Sequence, residues 1–238
     1  MDIIRSARDC WLRVNSMATI IFDIETVPVD FDSLDAISRE YLLKFADRKE
    51  EQEKVKEQMA LWAPTNTIVA IGMLAVESQK GAVYFQSGET KIDTWEENGI
   101  KYETGSEKDI LEKFWNAIAH AHQFVTFNGR CFDCPVLLLR SAILSVKPSK
   151  NIMPYRYSTE NHVDLLEQLT FYGAVRKFNL DFFCKSFGIA SPKGNGITGH
   201  DVLPLFQKGA YTDIARYCAG DLFATRTLYL RWKEYLSS

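Results

Sequence analysis

Apolar positions along the chain change their period from strand-like runs near the start to helical spacing later on. Residues 18–25, ATIIFDIE, form a short Ile-rich run ending in acids, the pattern of a buried strand that Pro28 is expected to break. Residues 33–62 are charged and free of Gly and Pro, and predict one or two helices with a narrow apolar stripe and a solvated face. Residues 67–76 and 81–87 are rich in β-branched and aromatic side chains around a turn near Lys80-Gly81, which predicts a hairpin, with a further short strand at 101–104. Ser106 with Asp109 three residues on opens a predicted helix over 106–121. A strand at 123–128, a helix over 132–144, a strand passing into a helix over 162–169 and a helix over 177–189 closed by Gly188 follow. The Gly-rich stretch 191–199 reads as a flexible loop, and a long helix is expected from about Tyr211 to the end. Strands first, then alternating helices and strands, predict one α/β domain with a mixed central sheet flanked by helices.

Composition narrows the class without naming a function. A chain of 238 residues, 46% hydrophobic and 25% charged, is expected to be a soluble globular protein with a sizeable core. The net charge of -3 argues against the broad basic surface of a protein that coats DNA. Five scattered cysteines do not form a disulfide framework, and a reducing cytoplasm is the expected compartment. The N-terminus lacks the apolar core of a signal peptide, and no apolar run approaches the roughly 20 residues of a membrane span. Met17 directly precedes ATIIFDIET, so residues 1–16 are expected to be an extension and 17–238 the domain.

Candidate chemistry comes from carboxylates. Asp23 and Glu25 sit at i and i+2 on a predicted strand, so both point to one side with Ile24 on the other. Like charges placed so closely repel unless a cation lies between them. Tyr217 and Asp221, at i and i+4 on a predicted helix, share a face. Asp133 stands at a helix start, where an N-cap role for the following CPVLLLR is the plain alternative. Cys131 and Cys134 have the C-x-x-C spacing of a redox pair, but no second ligand pair completes a zinc site, and the Phe and Asp between them disfavour a thiolate. Cys184 and Cys218 are expected in the core. Asp164 ends a predicted strand and could support a site, while His120, His122, His162 and His200 show no ligand spacing.

Taken in order, FDIET, FNGRCFDCPVL and YCAGD resemble the three motifs of the DEDD superfamily of 3′→5′ exonucleases. Tyr217 rather than a histidine in the third motif is similar to the tyrosine (DEDDy) subgroup, and the closest resemblance is to stand-alone proteins related to the proofreading domain of family B DNA polymerases. The resemblance runs from Met17 onward and implies a ribonuclease-H-like fold. It also implies that Asp23, Glu25, Asp133 and Asp221 hold two divalent ions, Mg²⁺ or Mn²⁺, with Tyr217 orienting the attacking water. Asn128 and Phe132 would contact the terminal nucleotide, Lys193 the scissile phosphate, and Thr26 could meet the 3′ end. The expected activity is hydrolysis of single-stranded DNA from its 3′ end to nucleoside 5′-monophosphates. An exoribonuclease acting on RNA or short oligonucleotides, a non-catalytic nucleic-acid-binding module on the same fold, and a thiol oxidoreductase built on Cys131 and Cys134 are the alternatives.

Overall fold

The computed structural model describes residues 18–190 and 196–237; the extension expected over 1–16 and Lys193 lie outside them. Its strands are β1 (Thr19–Pro28), β2 (Asn66–Ala75), β3 (Gly81–Phe85), β4 (Trp95–Glu97), β5 (Ile100–Thr104), β6 (Gln123–Thr126) and β7 (His162–Asp164). They form one mixed sheet in the order β4-β5-β3-β2-β1-β6-β7. β1 runs antiparallel to β2 and parallel to β6, which makes it an interior strand with both faces covered. That explains its nearly continuous apolar run.

Alternation along β1 divides the core in two. Ile20, Phe22 and Ile24 pack against Phe114 and Trp115 of α3 (Glu107–Ile118) and Leu137 of α4 (Asp133–Ile143). Ile21 packs in a second core with Ile214, Leu222 and Leu228 of α8 (Tyr211–Tyr235). Asp23 and Glu25 continue the Ile21 face, so the period of two delivers both acids to α8. Gly72 on β2 lies directly across from Asp23. A Cβ built on it would stand 2.7 Å from Cys218 Sγ and 2.9 Å from Leu222 Cδ1, so the absent side chain is what lets α8 lie close against the sheet here.

β1 ends at Pro28, as expected, but runs through an irregularity before it. The register shifts between Glu25 and Thr26, leaving Val69 of β2 without a counterpart, and pairing resumes through Val27 to Pro28. Pro28 is tolerated because it occupies the last position of the strand. Bulges of this kind recur beside active sites, where they re-aim side chains. The β3–β5 region also contains β4, joined to β5 through Asn98 and Gly99, both with positive φ (53° and 79°), the geometry of a two-residue hairpin turn.

α4 is fixed to its neighbours before it presents Asp133. Arg140 donates to Glu107 of α3 through two bonds of 2.8 and 2.7 Å, and Glu107 Oε1 also accepts the Ile68 amide at 2.9 Å. Residues 33–62 fold as two helices, α1 (Ala36–Leu43) and α2 (Lys49–Gln58), as the pattern predicted. Their role differs from a purely solvated face. The turn after α2 is tied to the end of β1, with Ala60 O accepting from Thr26 Oγ1 at 2.7 Å and from Asn66 Nδ2 at 3.0 Å.

Candidate active site

Three elements bring the acids together. β1 supplies Asp23 and Glu25, the start of α4 supplies Asp133, and α8 supplies Tyr217 and Asp221. Asp133 is not the helix cap. Phe132 occupies the N-cap position without a side-chain cap bond, and the Asp133 carboxylate reaches across to accept the Ile24 amide at 3.1 Å. This bond joins α4 to β1 at the residue between the two strand acids.

The turn that carries Phe132 and Asp133 is held by Asp164. Its carboxylate accepts the amides of Asn128 and Arg130, each at 2.9 Å, and that of Leu166 at 3.0 Å. Asn128 takes a positive φ of 65°, and Gly129 lies so near Thr126 that a Cβ would meet its Oγ1 at 2.4 Å. Sequence spacing pointed to Asp164 only as a residue at a strand end. Its clamp on a turn more than thirty residues away is a tertiary feature with no local signal.

A cleft of ≈ 800 Å³ opens above these groups. Glu25, Thr26, Phe132, Tyr217 and Asp221 lie along it. Lys54, Glu57 and Leu61 in and after α2 form one side, and Asn179, Leu180 and Leu203 of the α6 (Leu180–Ser186) and α7 (Val202–Gln207) region form another. Asp23, half-buried, and Asp133, buried, lie beside Glu25 and Asp221 without lining the cleft, and Asn128 is in the turn rather than in the cleft lining. His200, given no role from the sequence, also borders the cleft.

The electrostatics are those of an anionic pocket. Burial first, then the charges of Asp133, Glu25 and Asp221, push the Asp23 carboxyl well above the ordinary range. Glu25 is raised by burial and then by Asp221 and Asp133. Asp133 is raised to about 7, mainly by burial, against the lowering effect of its backbone hydrogen bonds. Among the described residues, the largest influences on Asp23, Glu25 and Asp133 are burial, neighbouring carboxylates and, for Asp133, backbone hydrogen bonds. Such a set is costly to ionise alone and is made favourable by a bound cation.

Ligand atoms of Asp23, Glu25 and Cys218 all lie within 4.8 Å of one another. Burial and then Asp23 and Glu25 push the Cys218 thiol far above its usual range, so it stays protonated and points weakly at the Asp23 carbonyl, 3.8 Å away. The carboxylates offer oxygen donors, the kind that suits hard cations such as Mg²⁺ or Mn²⁺. Tyr217 is hydrogen-bonded to Asp221, and burial followed by Glu25 and Asp221 raises its phenol far beyond the normal range.

The thiols of the C-x-x-C stretch are divided between core and surface. Cys134 is buried, its thiol pushed up by burial and then by Asp133 and Asp164, while Cys131 is exposed. Cys184 and Cys218 are buried as expected.

This arrangement, acids on a central strand and on the two helices that meet it, has the ribonuclease-H-like fold of a polymerase exonuclease domain. The family B DNA polymerase from the hyperthermophilic archaeon Pyrobaculum calidifontis is similar with a TM-score of 0.61 at 16% identity, over 92% of this chain and 25% of the polymerase chain. This protein thus spans a quarter of the polymerase's length, and the likeness concerns fold. The chain belongs to the family described as predicted 3′-5′ exonucleases related to the exonuclease domain of PolB, whose model matches residues 61–237. That span includes Asp133, Asp164, Tyr217 and Asp221 and begins after Asp23 and Glu25. No curated protein matches the chain. Among the described residues, no helix is long and apolar enough to cross a membrane.

Proposed function

We propose that the protein is a metal-dependent exonuclease of the tyrosine subgroup that hydrolyses single-stranded DNA from its 3′ end to nucleoside 5′-monophosphates. The observation that carries this reading is the gathering of Asp23, Glu25, Asp133 and Asp221 at a cleft lined by Glu25 and Asp221, with the Asp23, Glu25 and Asp133 carboxyls raised by burial and by neighbouring acids.

Those four carboxylates would hold two divalent ions. When bound, the ions supply Lewis-acid stabilisation of the charge that develops at phosphorus and on the leaving 3′ oxygen. Tyr217 keeps its proton far above physiological pH, so it orients water by hydrogen bonding and does not act as a base. Phe132 borders the cleft, as does Glu25, which supports a role for its ring in stacking on the terminal base. The Thr26 hydroxyl proton is committed to Ala60 O, which leaves its oxygen to accept from the 3′-hydroxyl. Asn128 and Lys193 are proposed contacts to the terminal nucleotide and the scissile phosphate.

The test uses purified protein with Mg²⁺ or Mn²⁺ and 5′-labelled single-stranded DNA and RNA of one sequence, with Asp133→Ala alongside. A ladder shortening from the 3′ end on DNA, absent in the variant and in EDTA, is expected. Faster digestion of RNA would move the substrate to ribonucleic acid. Binding of both strands without digestion would leave a nucleic-acid-binding module.

A further inference from the structure

We propose that single-stranded nucleic acid leaving the cleft is gripped by an aromatic and basic platform at the start of α6, formed by Phe178, Phe182, Arg176 and Lys177. The inference rests on the exonuclease reading and extends it to the strand beyond the terminal nucleotide. Asn179, Leu180 and Asp181 line the cleft, so the residues on either side of them stand at its edge. Phe178 and Phe182 are stacked with centroids 4.3 Å apart and planes 10° from parallel. Phe182 is nevertheless 50% exposed, so one ring of the stacked pair offers surface to a ligand. Phe183 meets Phe178 edge-on at 6.1 Å and, with Phe187, packs against the α8 core, which makes the platform rigid from below.

Charge selects the partner. Arg176 lies over the Phe178 ring at 5.0 Å, and Arg176 and Lys177 are both exposed with no ion pair among the described residues. The nearby acid, Asp181, is held by Lys185 at 2.8 Å. Exposed aromatic faces beside free cations are the recurring grip on single strands, because every base offers a π-face and every linkage a phosphate. A duplex would not present its base faces to this edge, and an apolar peptide would not need the cations.

The experiment measures binding of 5′-fluorescein, phosphorothioate-linked oligothymidylates of 3 and 12 nucleotides by anisotropy, in Mg²⁺. The wild type is expected to bind the 12-mer at least about tenfold more tightly than the 3-mer, the effect of one or more stacked bases. Phe182→Ala should remove most of that gain, Phe182→Trp should retain it, and Arg176→Ala should weaken the 12-mer and flatten its salt dependence. Tyr235→Ala, a still more exposed aromatic at the far end of α8, serves as the control and should change nothing. The proposal is overturned if Phe182→Ala binds the 12-mer as the wild type does, or if length brings no gain. A length gain that depends on Phe182 in a protein that cleaves neither DNA nor RNA would uphold the platform and sink the nuclease. Cleavage without that gain would do the reverse.

Discussion

Gly72→Ala tests whether the site depends on how closely α8 approaches the sheet. The added methyl would lie 2.7 Å from Cys218 Sγ and 2.9 Å from Leu222 Cδ1. Ordinary contacts between such atoms are near 3.5–4 Å, so the helix must move outward by roughly 1 Å or its side chains must leave their rotamers. Overpacking of this kind costs about 1–3 kcal/mol. For a domain of this size that is a fall in Tm of roughly 2–4 °C per kcal/mol. The same displacement carries Tyr217 and Asp221 away from Asp23 and Glu25, and a 1 Å error in catalytic geometry can cost about a hundredfold in rate. Thermal melts and hydrolysis of a labelled single strand should therefore both change. Adding Cys218→Ala removes one of the two clashes, and the double variant should recover part of both losses. A Gly72→Ala protein with wild-type Tm and wild-type rate would refute the close-approach argument.

Tyr217→Phe should slow hydrolysis by about tenfold to a hundredfold while divalent-ion binding, followed by calorimetry, persists; an unchanged rate would remove the phenol from the mechanism. Asp164→Ala strips the acceptor from the Asn128 and Arg130 amides and should cost about 2–4 kcal/mol in denaturant melts, with lower activity per folded molecule; Asp164→Asn, which keeps one acceptor oxygen, should lose less. Cys131→Ser with Cys134→Ala should digest DNA at the wild-type rate, and a large loss would reopen the thiol reading. His162 is buried and its pKa is lowered to about 3, chiefly by burial, so the unfolded chain takes up a proton near pH 6.5 that the folded chain refuses. Its contribution to stability is thus present above about pH 6.5 and lost as pH falls towards 3, about 2 kcal/mol by pH 5, and His162→Gln should lack that part of the slope in melts at pH 7 and pH 5.

The parts of the molecule written in local pattern were legible in the sequence, and the parts made by chain-distant contacts were not. β1 and the hairpin that follows it were visible because burial on both faces demands an unbroken apolar run. The α3 start was visible because Ser106 and Asp109 cap each other within four residues. The acids of β1 and the Tyr217–Asp221 pair follow directly from the two periods of strand and helix. The motif singled out Asp133 but not its partner: a residue at a helix start can also be a cap, and only the fold shows that its carboxylate accepts the amide of Ile24, 109 residues away in sequence. The 33–62 segment reads as a solvated helix pair because its composition is polar, and polar composition cannot distinguish a face in open water from one that borders a cleft. The same ambiguity hid Gly72. A glycine within a strand reads as a weakness until the helix packed above it is known, and here the missing side chain is what lets the third motif reach the first.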